Sequence, residues 1–163
     1  PLVPNPGKLD ALVWSLRMRW YTWRAPDGPG QPSPNVRLFV LFHDPEVSPS
    51  LPHSVGLTSG LMGVIHAFAR HAQHGSNEFI IAHELMHTVG ANDRYDLATN
   101  QPLFPEGYAE PELDPLLPQR KAEIMGGRIP ITQRRSEIPY SLEEVIVGPI
   151  TAREIAWTPR RSR

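Results

Sequence analysis

Residues 83–93 read His-Glu-Leu-Met-His-Thr-Val-Gly-Ala-Asn-Asp, and several of these side chains can do chemistry together. Positions four apart on a helix share a face, so His83 and His87 project side by side. Two imidazoles so placed can grip one zinc ion, and Glu84 lies where it can take a proton from the water that the ion activates. Gly90 carries no Cβ and can end the helix in a left-handed turn. The chain then reverses and returns Asp93 toward the metal as a third ligand. A bare H-E-x-x-H arises in roughly one shuffled chain of this composition in fifty, and requiring Gly90 and Asp93 as well lowers this to the order of one in ten thousand. The plainer alternative is an amphipathic helix with two surface histidines.

No histidine follows His87, so a third protein ligand from downstream has to be a carboxylate. Asp93, Asp96, Glu106, Glu110, Glu112 and Glu123 are the nearby choices. Asp93 sits at the spacing Gly90 serves, and Asp96 is its nearest competitor.

These side chains need elements to hold them. Ser76 or Asn77 would cap the start of the zinc helix, with Glu78 favourable in its first turn. Its remaining faces carry Phe79, Ile81, Leu85, Met86 and Val89, so it should be buried except along the ligand edge. His71 and His74 fall in a polar connection ahead of it and read as solvated. Upstream, residues 8–24 form a helix on the spacing of Leu9, Leu12, Val13, Leu16, Trp20 and Trp23, with Asn5 and Pro6 as cap and first turn. Trp14, Trp20 and Trp23 read as packing residues. The apolar run 36–42 suits a central strand covered on both faces, closed by His43-Asp44-Pro45.

Residues 55–69 read as one or two strands interrupted by Gly56, Gly60 and Gly63. Gly60, Leu61 and Gly63 are the positions where an edge strand ahead of the zinc helix would receive a peptide by strand addition. Glycines that only mark turns or bulges are the alternative. Residues 94–123 show little periodicity and many prolines, and read as irregular. Thr151 and Glu154 have capping-box spacing, flanked by Ile150 and Ile155 as a staple, and announce a short last helix through Trp157.

Composition bounds the function. With 163 residues the chain can bury a real core, and 40% apolar content argues against disorder and against a membrane-spanning protein. Net charge is −1, which gives no electrostatic case for nucleic acid or an anionic membrane. No apolar run reaches the length of a transmembrane helix. There is no cysteine, which removes disulfides, thiolate zinc ligands and a thiol nucleophile together. The 19 prolines, crowded into 26–34, 45–52 and 102–118, suggest stiff irregular connections around a compact core. Pro1 opens the chain with neither initiator Met nor signal-peptide pattern, so it reads as a soluble domain excised from a longer secreted or membrane-anchored protein, and leans extracytoplasmic. Oligomeric state is open.

The zinc helix resembles the signature of the metzincin metallopeptidases, H-E-x-x-H-x-x-G-x-x-H or -D followed by a methionine turn. The resemblance implies His83, His87 and Asp93 as ligands of Zn2+, with Asp93 as in the Asp-type, snapalysin-like branch. Glu84 becomes the general base and Gly90 the turn. Glu123-Ile-Met-Gly-Gly127 is similar to the methionine turn and would set Met125 beneath the metal as an apolar floor. The implied fold is α+β with two lobes. An upper lobe to about residue 90 would hold a small twisted sheet, an N-terminal helix and the zinc helix; an irregular lower lobe from about 91 would end in a short helix. The whole chain, 1–163, would be one metallopeptidase domain.

The implied activity is zinc-dependent endopeptidase hydrolysis of a peptide or protein substrate. An aspartate in place of a third histidine lowers the site charge from +2 to +1, weakening the ion as a Lewis acid. One departure stands out: several metzincins have a tyrosine two residues after the methionine, where this chain has Gly127. Tyr95, Tyr108 or Tyr140 would have to supply a phenol. Two alternatives remain. One is a gluzincin, its third ligand Glu106 or Glu110 on a later helix, which Pro105 and Pro111 oppose. The other is a catalytically silent zinc or peptide-binding module, which Glu84 opposes because a structural site needs no base.

Overall fold

The computed structural model describes residues 35–58 and 61–157, together with Val13, Leu16, Arg17, Trp20 and Arg24. The chain divides into two compact units, Pro1–Arg37 and Leu38–Arg163. In the first, the five described positions are helical, as the 8–24 spacing predicts. Val13, Leu16 and Trp20 are exposed, and the Arg24 guanidinium lies 4.5 Å from the centre of the Trp20 ring. The rest of that expectation, including Trp14, Trp23, Asn5 and Pro6, falls outside the described residues.

The second unit is small and α+β. Its larger sheet holds β1 (Arg37–His43), β2 (Val55–Leu57) and β3 (Met62–Phe68) in the order β1-β3-β2. The apolar run 36–42 therefore makes an edge strand and not the central one. Leu41 and Phe42 are 44% and 64% exposed, whereas β3 has five of its seven residues buried. Apolar content signals burial but not strand order, which the pairing of β3 with both neighbours decides. β2 and β3 pair antiparallel, Val55 opposite Val64 and Leu57 opposite Met62. Gly63 thus lies in the middle strand, already paired on both sides; the free edge beside the helix belongs to β2. The glycine is needed for packing, since a Cβ there would come 2.9 Å from Leu38 Cδ2. Leu61 occupies the turn with φ of 47°, and Gly60 is not among the described residues.

A short 3-10 turn, His71–Gln73, leads into α1 (His74–Thr88). The helix begins before Ser76 and Asn77 because both side chains are engaged elsewhere. Ser76 Oγ donates to Pro139 O at 3.2 Å, and the Asn77 amide bridges the backbone of Phe68 in both directions at 2.8 and 3.2 Å. His71 and His74 are exposed, as expected, with His74 3.1 Å from Glu78. Phe79, Ala91, Ile124 and Met125 form the buried cluster on which α1 rests, with Ile80, Ala82 and Met86 against it.

Residues 91–121 run without regular elements apart from isolated bridges at Tyr95–Pro102 and Tyr108–Ala122. The Phe104–Pro105, Asp114–Pro115 and Leu117–Pro118 peptide bonds are cis. Two small two-stranded sheets follow: β4 (Ala122–Glu123) parallel to β7 (Val145–Ile146), and β5 (Ile129–Thr132) antiparallel to β6 (Arg135–Glu137). The last helix, α2 (Pro149–Glu154), starts with proline in its first turn, earlier than the Thr151 capping box predicts. Thr151 Oγ1 donates instead to Glu123.

Candidate metal centre

The close of α1 sets the site. Val89 ends the helix and Gly90 turns with φ of 107°. The Gly90 N–H donates to His87 O at 3.1 Å and the Ala91 N–H to Met86 O at 3.0 Å. Together these bonds make a Schellman motif, the reversal that the Gly90 spacing predicts. Met86 and Ala91 then meet in the core, so the turn is fastened by burial as well.

The turn brings Asp93 onto the two histidines. Asp93 Oδ1 lies 3.2 Å from His83 Nε2 and 3.1 Å from His87 Nε2, and the two Nε2 atoms are 3.1 Å apart. Each imidazole is oriented from behind by a backbone carbonyl: Ile124 O is 2.8 Å from His83 Nδ1 and Ala91 O is 2.9 Å from His87 Nδ1. A carbonyl only accepts, so each Nδ1 carries a hydrogen and each ring turns its Nε2 inward toward Asp93. Two ring nitrogens and a carboxylate oxygen converge on one point, where a metal ion can take the place of shared protons. Tetrahedral zinc with bonds of ~2.0–2.1 Å separates its ligand atoms by about 3.3 Å, close to the triangle found here. His83, His87 and Asp93 therefore fit a metal ion, and form the one group of three or more such ligands among the described residues.

The competing carboxylates are committed elsewhere. Asp96 Oδ1 accepts from Ala98 N, Thr99 N and Thr99 Oγ1. Glu106 pairs with Arg94 at 2.9 Å, and Glu110 accepts from the Arg120 N–H. Glu112 is exposed. Glu123, 1% exposed, accepts four hydrogen bonds from Met125 N, Gly126 N, Gly148 N and Thr151 Oγ1 at 2.7–3.0 Å. It is a buried strut that ties residues 123–126 to α2. Met125 beside it is fully buried, and its carbonyl accepts from Arg94 N at 2.8 Å.

No protein-family model, curated protein or solved structure matches this chain. Its geometry and chemistry speak for themselves.

Glu84 is 7% exposed, and its Oε2 has no hydrogen-bond partner among the described residues. Burial pushes its carboxyl up; His83, His87 and a Gly56 N–H pull against this, and the net shift is upward. Asp93 shifts the other way. Burial would raise it, but hydrogen bonds and charge from the two imidazoles hold it far below the usual carboxylate range. The two neighbouring carboxyls are thus pushed in opposite directions, Asp93 toward its ionised form and Glu84 toward its protonated one.

Several contributors escape a motif search. Gly56 brings β2 so close to α1 that a Cβ would fall 2.4 Å from Glu84 O and 2.7 Å from His87 Cβ. Thr58 Oγ1 donates to His87 O at 2.7 Å. Of the three tyrosines considered, Tyr95 is at the site: its ring centre is 6.3 Å from that of His83, and its edge lies over Gly127 at ordinary contact distance. Burial first, then the Asp93 and Glu84 charges, push its phenol up to about 12, so it stays protonated. Tyr140 is 75% exposed, and Tyr108 packs with Phe104.

A cleft of about 240 Å³ opens beside this group, with Phe79, Ile80 and Ile138 among its apolar walls and Glu84, Tyr95 and Arg128 among its polar ones. His66, buried in β3, also lines it; His66 Nδ1 is 2.8 Å from His43 Nε2, which gives His43 a partner at the end of β1. A lone histidine in an otherwise apolar strand was the sequence signal for His66.

Proposed function

We propose that this chain is a zinc-dependent endopeptidase of the metzincin type, in its aspartate-ligand form, with the two-lobe architecture that type implies. One observation carries the reading: three metal-ligating atoms converge within hydrogen-bond distance while the Glu84 Oε2 next to them is buried and unpartnered. A structural metal site has no use for such a base.

A zinc ion held by His83, His87 and Asp93 would supply a Lewis acid that polarises a peptide carbonyl and acidifies water at neutral pH. Glu84 takes one proton from the attacking water as its oxygen bonds to the carbonyl carbon. The same carboxyl then gives that proton to the departing amine as the C–N bond breaks, so the base is regenerated. Its raised proton affinity favours the first of these transfers, from water to carboxylate. Tyr95 keeps its proton at working pH and offers a hydrogen bond to the carbonyl oxygen as negative charge builds there. With zinc bound, Asp93 would hold the site charge to +1. A glutamate ligand of the gluzincin kind is disfavoured, because Glu106 and Glu110 are engaged with arginines or backbone.

The test is zinc content and cleavage of an unbiased peptide library by purified protein, with chelator and Glu84→Gln as controls. Chelator-sensitive cleavage that Glu84→Gln abolishes supports the reading. Zinc and peptide binding with no cleavage anywhere in the library would replace it with a silent binding module.

A further inference from the structure

Arg128 is half-buried, lines the cleft beside the metal group, and among the described residues has no hydrogen bond or ion pair. Arg94, which is likewise withdrawn from solvent, is matched with Glu106 and Glu154. The position of Arg128 is well defined. Gly127 before it turns with φ of 76°, and Ile129 after it is buried at the start of β5. Glu84 is the sole carboxylate among the residues lining the cleft, yet it has no bond to Arg128. Each charge is left open to something else, Glu84 to a proton and Arg128 to an anion.

A guanidinium withdrawn partly from water without a counter-charge loses hydration and gains nothing in return. A planar carboxylate offsets that loss best, because it meets the guanidinium fork with two parallel hydrogen bonds. Apolar walls of Phe79, Ile80 and Ile138 suit the methylenes that would carry such a group. From this placement we infer that the cleft selects substrates bearing a carboxylate close to the bond to be cut, with Arg128 as the specificity-determining residue.

This inference rests on the hydrolase reading only for the word substrate; the carboxylate site itself can be tested without turnover. Two sources share the chemistry, an Asp or Glu side chain within a peptide and the terminal carboxylate of a chain. The first assay measures kcat/KM of the zinc-loaded protein on matched peptides. One series is amidated at its end and carries Glu or Gln at each position around the cleaved bond. The other has neutral side chains with a free or amidated terminus. The second assay titrates the same peptides onto Glu84→Gln protein and reads affinity alone.

The expected result is a preference of about ten- to a hundredfold for the carboxylate in one of the two series, which names its source. That ratio should fall to about one in Arg128→Gln and turn toward Lys-bearing peptides in Arg128→Glu. Arg128→Lys, which keeps the charge but not the fork, should retain part of it. Circular dichroism and zinc content confirm that each variant is folded. Equal treatment of Glu and Gln peptides, and of free and amidated ends, overturns the inference even if cleavage is vigorous. So does a ratio that Arg128→Gln leaves intact. Absence of all cleavage, with Arg128-dependent carboxylate binding preserved, sinks the hydrolase reading alone.

Discussion

Glu154 accepts both the backbone N–H and the side-chain amide of Asn92, at 3.1 and 2.9 Å, and so pins the residue immediately before Asp93 to the last helix. The same carboxylate meets Arg94, on the other side of Asp93, at 2.8 Å. The candidate third ligand is therefore held from both flanks by one side chain about sixty residues downstream. Glu154→Ala should leave the fold intact and weaken zinc binding by about ten- to a hundredfold, read by competition with a chromogenic chelator. Unchanged affinity would show that the Gly90 turn places Asp93 unaided.

The clamp also has a pH signature. Burial pushes the Glu154 carboxyl up, but its bonds to Asn92 and Arg94 outweigh this and bring it below its ordinary 4.5. The unfolded chain then takes the proton first, so the stabilisation is complete above about pH 4.5 and lost as pH falls through the lower folded value. In chelator-treated protein, wild type should melt higher than Glu154→Gln near pH 6. The difference should shrink as pH falls below about 4.5 and the folded protein takes up the proton in turn. A gap that persists in acid would contradict it.

Glu84 and Asp93 should separate cleanly on mutation. Glu84→Gln keeps the ligand triangle and should bind zinc stoichiometrically while losing about 10²–10⁴-fold in turnover. Asp93→Ala removes a ligand and should lose metal affinity by a hundredfold or more, roughly the upper range of an outer-shell loss. Metal analysis after dialysis distinguishes the two. Full activity in Glu84→Gln would end the general-base assignment.

Gly56→Ala tests the approach of β2 to α1. The added methyl would meet Glu84 O and His87 Cβ at 2.4 and 2.7 Å, distances at which backbone has to move. Chemical denaturation should report a loss of about 1–3 kcal/mol, accompanied by weaker zinc binding, because His87 moves with the helix. Gly63→Ala, pressed against the flexible tip of Leu38, should cost less.

Glu123 offers the largest stability effect. Glu123→Ala strands the Met125 and Gly148 N–H groups and the Thr151 hydroxyl in the interior, and should cost about 3 kcal/mol or more in denaturant titrations. A variant as stable as wild type would mean that water reaches these donors.

The site was legible in the sequence because its parts are near one another along the chain. His83, Glu84 and His87 need only helical periodicity, and Gly90 needs only its left-handed φ to return Asp93. What depended on distant partners was not legible. Ser76 carries the mark of a helix cap, yet its hydroxyl is spent on Pro139, 63 residues away. Thr151 and Glu154 have capping-box spacing, but their side chains serve Glu123 and Asn92. The apolarity of 36–42 signalled a strand while leaving its rank in the sheet undetermined. Arg128 has no local pattern at all; its interest comes from the cleft around it.

Both histidines are aimed by main-chain oxygens, those of Ile124 and Ala91. Side-chain replacement cannot delete an atom of the peptide backbone. Over evolutionary drift, residues 124 and 91 are thus free to change identity as long as their volumes suit the core, while the protonation pattern of the imidazoles is inherited with the path of the chain.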